Sequence, residues 1–180
     1  MSWETLEVTT ILDEPYVGVK KNRVMMPDGR VSEDFYTVRI MDAALIAAVT
    51  TDGDILLKKE FRYACGEDII ECPAGMINPG EDPLETARRE LMEETGYTSQ
   101  NWTYLGATRE SVSKLTNTMH LFLAQDCVKT GKQKLDEFES LELIRVPLDE
   151  AVAMVMDNRI CANSSAHAIL KTERMLRQEM

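Results

Sequence analysis

The stretch Gly75-Met76-Ile77-Asn78-Pro79-Gly80-Glu81-Asp82-Pro83-Leu84-Glu85-Thr86-Ala87-Arg88-Arg89-Glu90-Leu91-Met92-Glu93-Glu94-Thr95-Gly96-Tyr97 decides how this chain is read. Asn78-Pro79-Gly80 is a turn sequence. Asp82 is placed to cap a helix, Pro83 fits its first position, and Glu85 sits in capping-box spacing. Gly96 suits the residue past the helix end, so a helix is predicted over Pro83–Thr95. Leu84, Ala87 and Leu91 recur at i, i+3 and i+7 and should face a core. Glu90, Glu93 and Glu94 share another face at i, i+3 and i+4, where like charges cost about 0.2–0.5 kcal/mol per pair. Arg89 can pair with Glu93 at i+4. A solvated charged face is the ordinary meaning of such a triplet. Beside a glycine-rich turn, however, clustered carboxylates are the oxygen-donor environment that Mg2+ or Mn2+ prefers, above all with substrate phosphates completing the shell.

Upstream of the helix the chain reads as strands. Leu6–Thr10, Tyr16–Met26 and Phe35–Ile40 are β-rich, with Pro27-Asp28-Gly29 turning between the latter two. Ala43–Thr50 is almost continuously apolar, as a strand buried on both faces would be. Asp52-Gly53 marks a tight hairpin into Ile55–Phe61, and Ile69–Glu71 follows. Downstream, Trp102–Ala107, His120–Ala124 and Glu142–Val146 read as strands, and Leu148–Asp157 and Ser165–Arg177 as helices. The apolar face of the last is Ala166, Ile169, Leu170 and Leu176. Strands outnumber helices without regular alternation, which favours an α+β fold, a mixed sheet with helices packed on it. Residues 1–41 form a candidate N-terminal antiparallel β-layer, and 42–180 the main domain.

The chain has 180 residues, 44% hydrophobic and 28% charged, enough to build a core. It carries 31 acids and 20 bases, a net charge of −11. Residues 66–97 alone hold nine acids and two bases. That balance argues against nucleic acid and against an anionic membrane as partners. No apolar run reaches the ~18–20 residues needed to span a bilayer, and MSWETLEVTT lacks the regions of a secretory signal. Cys65, Cys72, Cys127 and Cys161 show no zinc-ligand spacing, and Cys72 and Cys161 read as small core residues. The expectation is a reduced, cytoplasmic protein. His120 and His167 lack a partner pattern and read as structural.

The order Gly75, five residues, Glu81, seven residues, Arg89-Glu90-Leu91, one residue, Glu93-Glu94, one residue, Gly96-Tyr97 resembles the Nudix box, with Tyr97 where that family prefers an aliphatic residue. Ile55–Tyr63 followed by Ile70-Glu71-Cys72-Pro73-Ala74-Gly75 is similar to the ADP-ribose pyrophosphatase branch. With Asp136–Leu143 and Pro147–Ala151, the likeness covers most of residues 40–155. It implies an α/β/α sandwich and an N-terminal layer whose exchange between subunits makes a homodimer. It implies Glu90 and Glu94 as metal ligands, Glu93 close by, the Ala74 carbonyl in the shell, Arg89 orienting the glutamates and Glu81 bracing the loop. Gly75 and Gly96 would be needed for backbone turns. The implied reaction is hydrolysis of a nucleoside diphosphate sugar with two or three Mg2+ ions, Mn2+ being a possible substitute. The base would come from Asp136-Glu137-Phe138-Glu139-Ser140. Glu137 aligns with the base and Glu139 with an additional metal ligand, and the two roles could be exchanged.

Arg62 is a candidate to grip a phosphate or the terminal ribose, the alternative being an ion pair with Glu60 or Asp68. Glu71 is a candidate to bond a base or ribose, or to brace Arg62. Phe35, Tyr36 or Tyr63 could stack on a base, although aromatic residues in strands are more often core. One departure matters. Members that prefer ADP-ribose typically have a proline about 16 residues beyond the second glycine of the box, where this chain has Val112. GDP-mannose or another sugar nucleotide is therefore the competing substrate, and a non-catalytic nucleotide-sugar-binding module the competing class.

Overall fold

The computed structural model describes residues 2–179, which resolve into two compact units, residues 2–42 with 109–118 and residues 43–108 with 119–179.

In the first unit, β1 (Glu4–Asp13), β2 (Val17–Met25) and β3 (Val31–Ile40) form an antiparallel sheet in that order. The turn at Pro27-Asp28-Gly29 closes through Gly29 N–H to the Met26 carbonyl at 2.9 Å, with Gly29 at φ 86°. Residues 109–118, far away in sequence, complete the unit. Val38 and Lys114 bond through their backbones, and Lys114 Nζ lies 4.6 Å from the Phe35 ring centroid. Every residue of β1 is exposed.

The second unit is a three-layer α+β fold. Its strands are β4 (Ala43–Thr50), β5 (Asp54–Arg62), β6 (Glu67–Glu71), β7 (Ala74–Met76), β8 (Tyr97–Thr98), β9 (Asn101–Thr108), β10 (Met119–Lys129) and β11 (Leu141–Pro147). Its helices are α1 (Pro83–Thr95), α2 (Leu148–Met156) and α3 (Asn163–Glu179). The sheet runs β11-β5-β4-β10-β8, with β6 on β5, β7 on β4 and β9 on β10. β4 and β10 are parallel and the other pairs antiparallel, so the sheet is mixed.

Alternation on β4 explains the layering. Ala44, Ile46 and Ala48 join Leu56, Ala87, Leu91 and Phe122 on the face covered by α1. Leu45, Ala47 and Val49 join Ile55, Leu57, Ala151, Met154, Ala168 and Ile169 on the face covered by α2 and α3. A strand apolar at every position thus serves two cores.

Several expectations need correction. The sequence reading omitted β7 and β8, strands of three and two residues. Helix α3 turns Ser165, Ala168, Ile169 and Thr172 inward, whereas Leu170 is 39% exposed. Small and hydroxylated side chains fit the close approach to the sheet, and Leu170 falls just outside the contact arc. Cys161 is exposed, in the loop before α3, while Cys72 and Cys127 are buried; all four are free thiols. Among the described residues, no helix is long and apolar enough to cross a membrane.

Candidate active site

Helix α1 is held at both ends by local chemistry. Asp82 accepts the Leu84 N–H at 2.8 Å, and Gly96, at φ 75°, donates to the Met92 carbonyl. The capping box does not close: Glu85 pairs with Arg88 at 3.1 Å instead. With Ala87 and Leu91 fully buried, the helix is fixed in rotation. Glu90 and Glu94 are thereby driven toward the sheet, 8% and 1% exposed.

Gly75 stands beneath Glu90. A Cβ there would lie 1.9 Å from Glu90 Oε1. The backbone at Gly75 is not left-handed, so the glycine is required for space and not for a turn, contrary to the sequence expectation. Gly96 is the turn glycine. One residue before Gly75, the Ala74 N–H donates to Glu94 Oε2 at 3.0 Å. Ala74-Gly75 is thus the floor on which both carboxylates rest.

Arg89 gathers three acids. Its guanidinium meets Glu81 Oε1 at 3.1 Å, Glu90 Oε1 at 2.6 Å and Glu93 Oε2 at 3.1 Å, and donates to the Met76 carbonyl at 3.3 Å. Hydrogen bonding to Arg89 holds the Glu81 carboxyl down at about 2. Glu90 moves the other way. Burial raises its pKa, opposed by Arg89 and reinforced by Glu93 and Glu139. The Glu139 carboxylate also accepts the Asp136 N–H at 3.0 Å, folding its loop back on itself. Glu137, two residues earlier, is exposed.

The sequence reading missed Lys58. It lies on β5 with its side chain 2% exposed and bonds to Glu94 Oε1 inside the fold. It also reaches Glu60 Oε2 at 3.3 Å. Lys58, Glu60 and Arg62 alternate along one strand face, the face that looks toward α1. Arg62 in turn meets Glu60 at 3.2 Å and Glu71 at 2.8 Å. Both alternatives offered for Arg62 and Glu71 thus meet in one network: Glu71 braces Arg62, and Glu60 is its second partner. Asp68 pairs with Lys59 instead. Burial pulls the Lys58 ammonium down, but Glu94 outweighs burial and holds it above the ordinary lysine range.

Six carboxylates (Glu60, Glu71, Glu81, Glu90, Glu93, Glu94) therefore share three cations, Lys58, Arg62 and Arg89. The donors are hard oxygens, and the surplus is negative. Among the described residues no three acids are grouped as ligands of one metal ion, these six being turned to a lysine or arginine. In donor type and in charge, Glu90, Glu93, Glu94 and Glu139 fit a divalent cation.

Phe35 and Tyr36 belong to the first unit. There Phe35 packs edge-on against Trp3, with ring centroids 5.6 Å apart, and Tyr36 is 40% exposed. Tyr63 is 93% exposed. His120 bonds the Tyr104 hydroxyl at 3.1 Å.

The NUDIX domain model matches residues 39–163. An ADP-ribose pyrophosphatase of Bacillus subtilis is 37% identical over 147 residues, covering 81% of this chain and 79% of that protein. A methanol dehydrogenase activator of Bacillus methanolicus is 31% identical over 167 residues, covering 92% and 90%. A solved structure of an ADP compounds hydrolase superposes with a TM-score of 0.85 at 22% identity, covering 99% of this chain and 96% of that one.

Proposed function

Because this chain belongs to the NUDIX family, we propose that it hydrolyses the diphosphate of ADP-ribose or a related nucleoside diphosphate sugar with Mg2+, giving a nucleoside monophosphate and a sugar phosphate. The observation that carries the reading is the pair of buried glutamates, Glu90 and Glu94, resting on Ala74-Gly75 with more carboxylates around them than cations.

Each residue has a role in this reading. Glu90, Glu94 and Glu139, with the Ala74 carbonyl, hold the cations; bound Mg2+ supplies charge neutralisation of the diphosphate and a more acidic water. Arg89 keeps Glu90 and Glu93 oriented through its fork of donors. Glu137, exposed on the loop beside Glu139, accepts the proton of the attacking water. Arg62, anchored by Glu60 and Glu71, offers its remaining donors to a phosphate or ribose hydroxyl. Positioning and charge stabilisation account for most of the rate in such a displacement.

The second unit of the proposal is the assembly. β1 exposes Leu6, Val8, Ile11 and Leu12, with Trp3 beside it, an apolar edge suited to a second copy of the chain. We assign a homodimer to this segment, through which Phe35 and Tyr36 would reach the partner's substrate.

Release of nucleoside monophosphate from ADP-ribose, GDP-mannose, UDP-glucose, NADH and diadenosine polyphosphates, with Mg2+, tests the reading in wild type and Glu94→Gln. ADP-ribose or a close analogue should be turned over best, and the variant should lose at least ~100-fold. GDP-mannose as the best substrate would favour the alternative raised by Val112. No turnover of any of these, or a variant equal to wild type, sinks the enzyme. A monomer mass by light scattering would remove the dimer and with it Phe35 and Tyr36.

A further inference from the structure

We propose that Lys58 is a positioning residue that fixes the Glu94 carboxylate for cation binding, an inference that rests on Glu94 being a cation donor. Lys58 is 2% exposed on β5, a strand hydrogen-bonded to β4, β6 and β11, so its stem has little freedom. Its ammonium bonds Glu94 Oε1, while the Ala74 N–H bonds Glu94 Oε2 at 3.0 Å. Each oxygen is therefore held once from the protein side, and each keeps a lone pair for a cation. A glutamate with three side-chain torsions is reduced to one orientation. Lys58 is itself held in place by Glu60 at 3.3 Å, and Glu60 by Arg62 at 3.2 Å. The Glu94 carboxylate thus stands at the end of a run of alternating charges that starts at Glu71.

A lysine serving only as an internal counter-ion would behave differently. It would weaken cation binding through repulsion, and its removal would tighten the site. A positioning lysine does the reverse, because partners that orient ligands typically account for roughly 10–100-fold in metal affinity.

The test is Mn2+ affinity, read by electron paramagnetic resonance without substrate, in wild type, Lys58→Met, Lys58→Arg, Glu94→Gln and the Lys58→Met/Glu94→Gln double variant. Lys58→Met should weaken Mn2+ roughly 10–100-fold. Lys58→Arg keeps the charge but changes the donor geometry, and should lose at least about 5-fold. In the Glu94→Gln background, Lys58→Met should add almost nothing. Wild-type or tighter Mn2+ binding in Lys58→Met or Lys58→Arg overturns the proposal, as does an undiminished effect in the Glu94→Gln background. If Lys58→Met does not fold, Lys58→Arg decides. Failure of wild type to bind Mn2+ at all would instead remove the cation reading itself, and the proposal with it.

Discussion

Lys58 and Glu94 form an ion pair inside the protein, with side chains 2% and 1% exposed. Two charges this far from water are costly to bury, and the pair persists because each meets the other and further donors or acceptors surround them. Breaking one half should therefore cost far more than removing both. Without metal, urea denaturation of Lys58→Met should show a loss of about 3–5 kcal/mol, whereas Lys58→Met/Glu94→Leu should be close to wild type or more stable. Equal losses in the two variants would contradict this account.

Gly75 and Gly96 bracket the same helix for different reasons, and alanine should separate them. At Gly75 the added Cβ meets the tip of Glu90, a flexible carboxylate that can swing aside. Gly75→Ala should therefore keep its stability within about 1 kcal/mol while activity falls at least ~100-fold. At Gly96 the φ of 75° and the Gly131 carbonyl, 2.6 Å from an added Cβ, leave no such escape. Gly96→Ala should cost about 1–3 kcal/mol. Melting temperature and turnover, measured side by side, distinguish the two; matching profiles would refute the assignment.

The legible parts of the chain were those whose signal is local. Ala43–Thr50 and Pro83–Thr95 have the predicted boundaries because an unbroken apolar run and a proline–glycine frame each act within one element. Glu90, Glu93 and Glu94 were visible because helical spacing gathers them on one face, while Arg89 as the residue that orients them came with the resemblance to the Nudix box. Lys58 was not visible, since its partner lies 36 residues away on another element and a lysine inside the predicted strand Ile55–Phe61 carries no local sign of a buried partner. The alternation of Lys58, Glu60 and Arg62 on one face was the available signal. β7 and β8 are three- and two-residue strands created by their neighbours, with no pattern of their own. Helix α3 misled for a related reason: Ser165 and Thr172 face the sheet where hydrophobic scoring expects Leu170.

Glu81 governs the acid limb of stability. Arg89 holds its carboxyl at about 2, against an ordinary value of 4.5. A depressed carboxylate contributes stability that is fully present above pH 4.5 and lost as pH falls toward 2. With the side chain 18% exposed, solvent screening reduces the contribution to about 1–2 kcal/mol. Glu81→Gln should be less stable than wild type at neutral pH and converge with it near pH 2. A constant gap across that range would show that the Arg89 contact acts by packing alone.

Cys72 and Cys127 govern the alkaline limb with the opposite sign. Burial pushes both thiols up from 9.0 to about 12, with Asp126 adding to the effect at Cys127. The unfolded chain ionises them first, so their contribution is complete below pH 9 and drains away as pH rises toward 12. Each ionising thiol removes about 1.4 kcal/mol per pH unit within that window. The two together should therefore lower stability by roughly 2–3 kcal/mol between pH 8 and pH 10. In reducing buffer, urea midpoints of Cys72→Ala/Cys127→Ala should start lower, because two buried sulfurs are lost, yet fall less steeply over the same interval. The slope tests the thiols and the intercept tests the packing. Parallel slopes for wild type and variant would mean that other groups, such as the buried lysine, carry the alkaline loss.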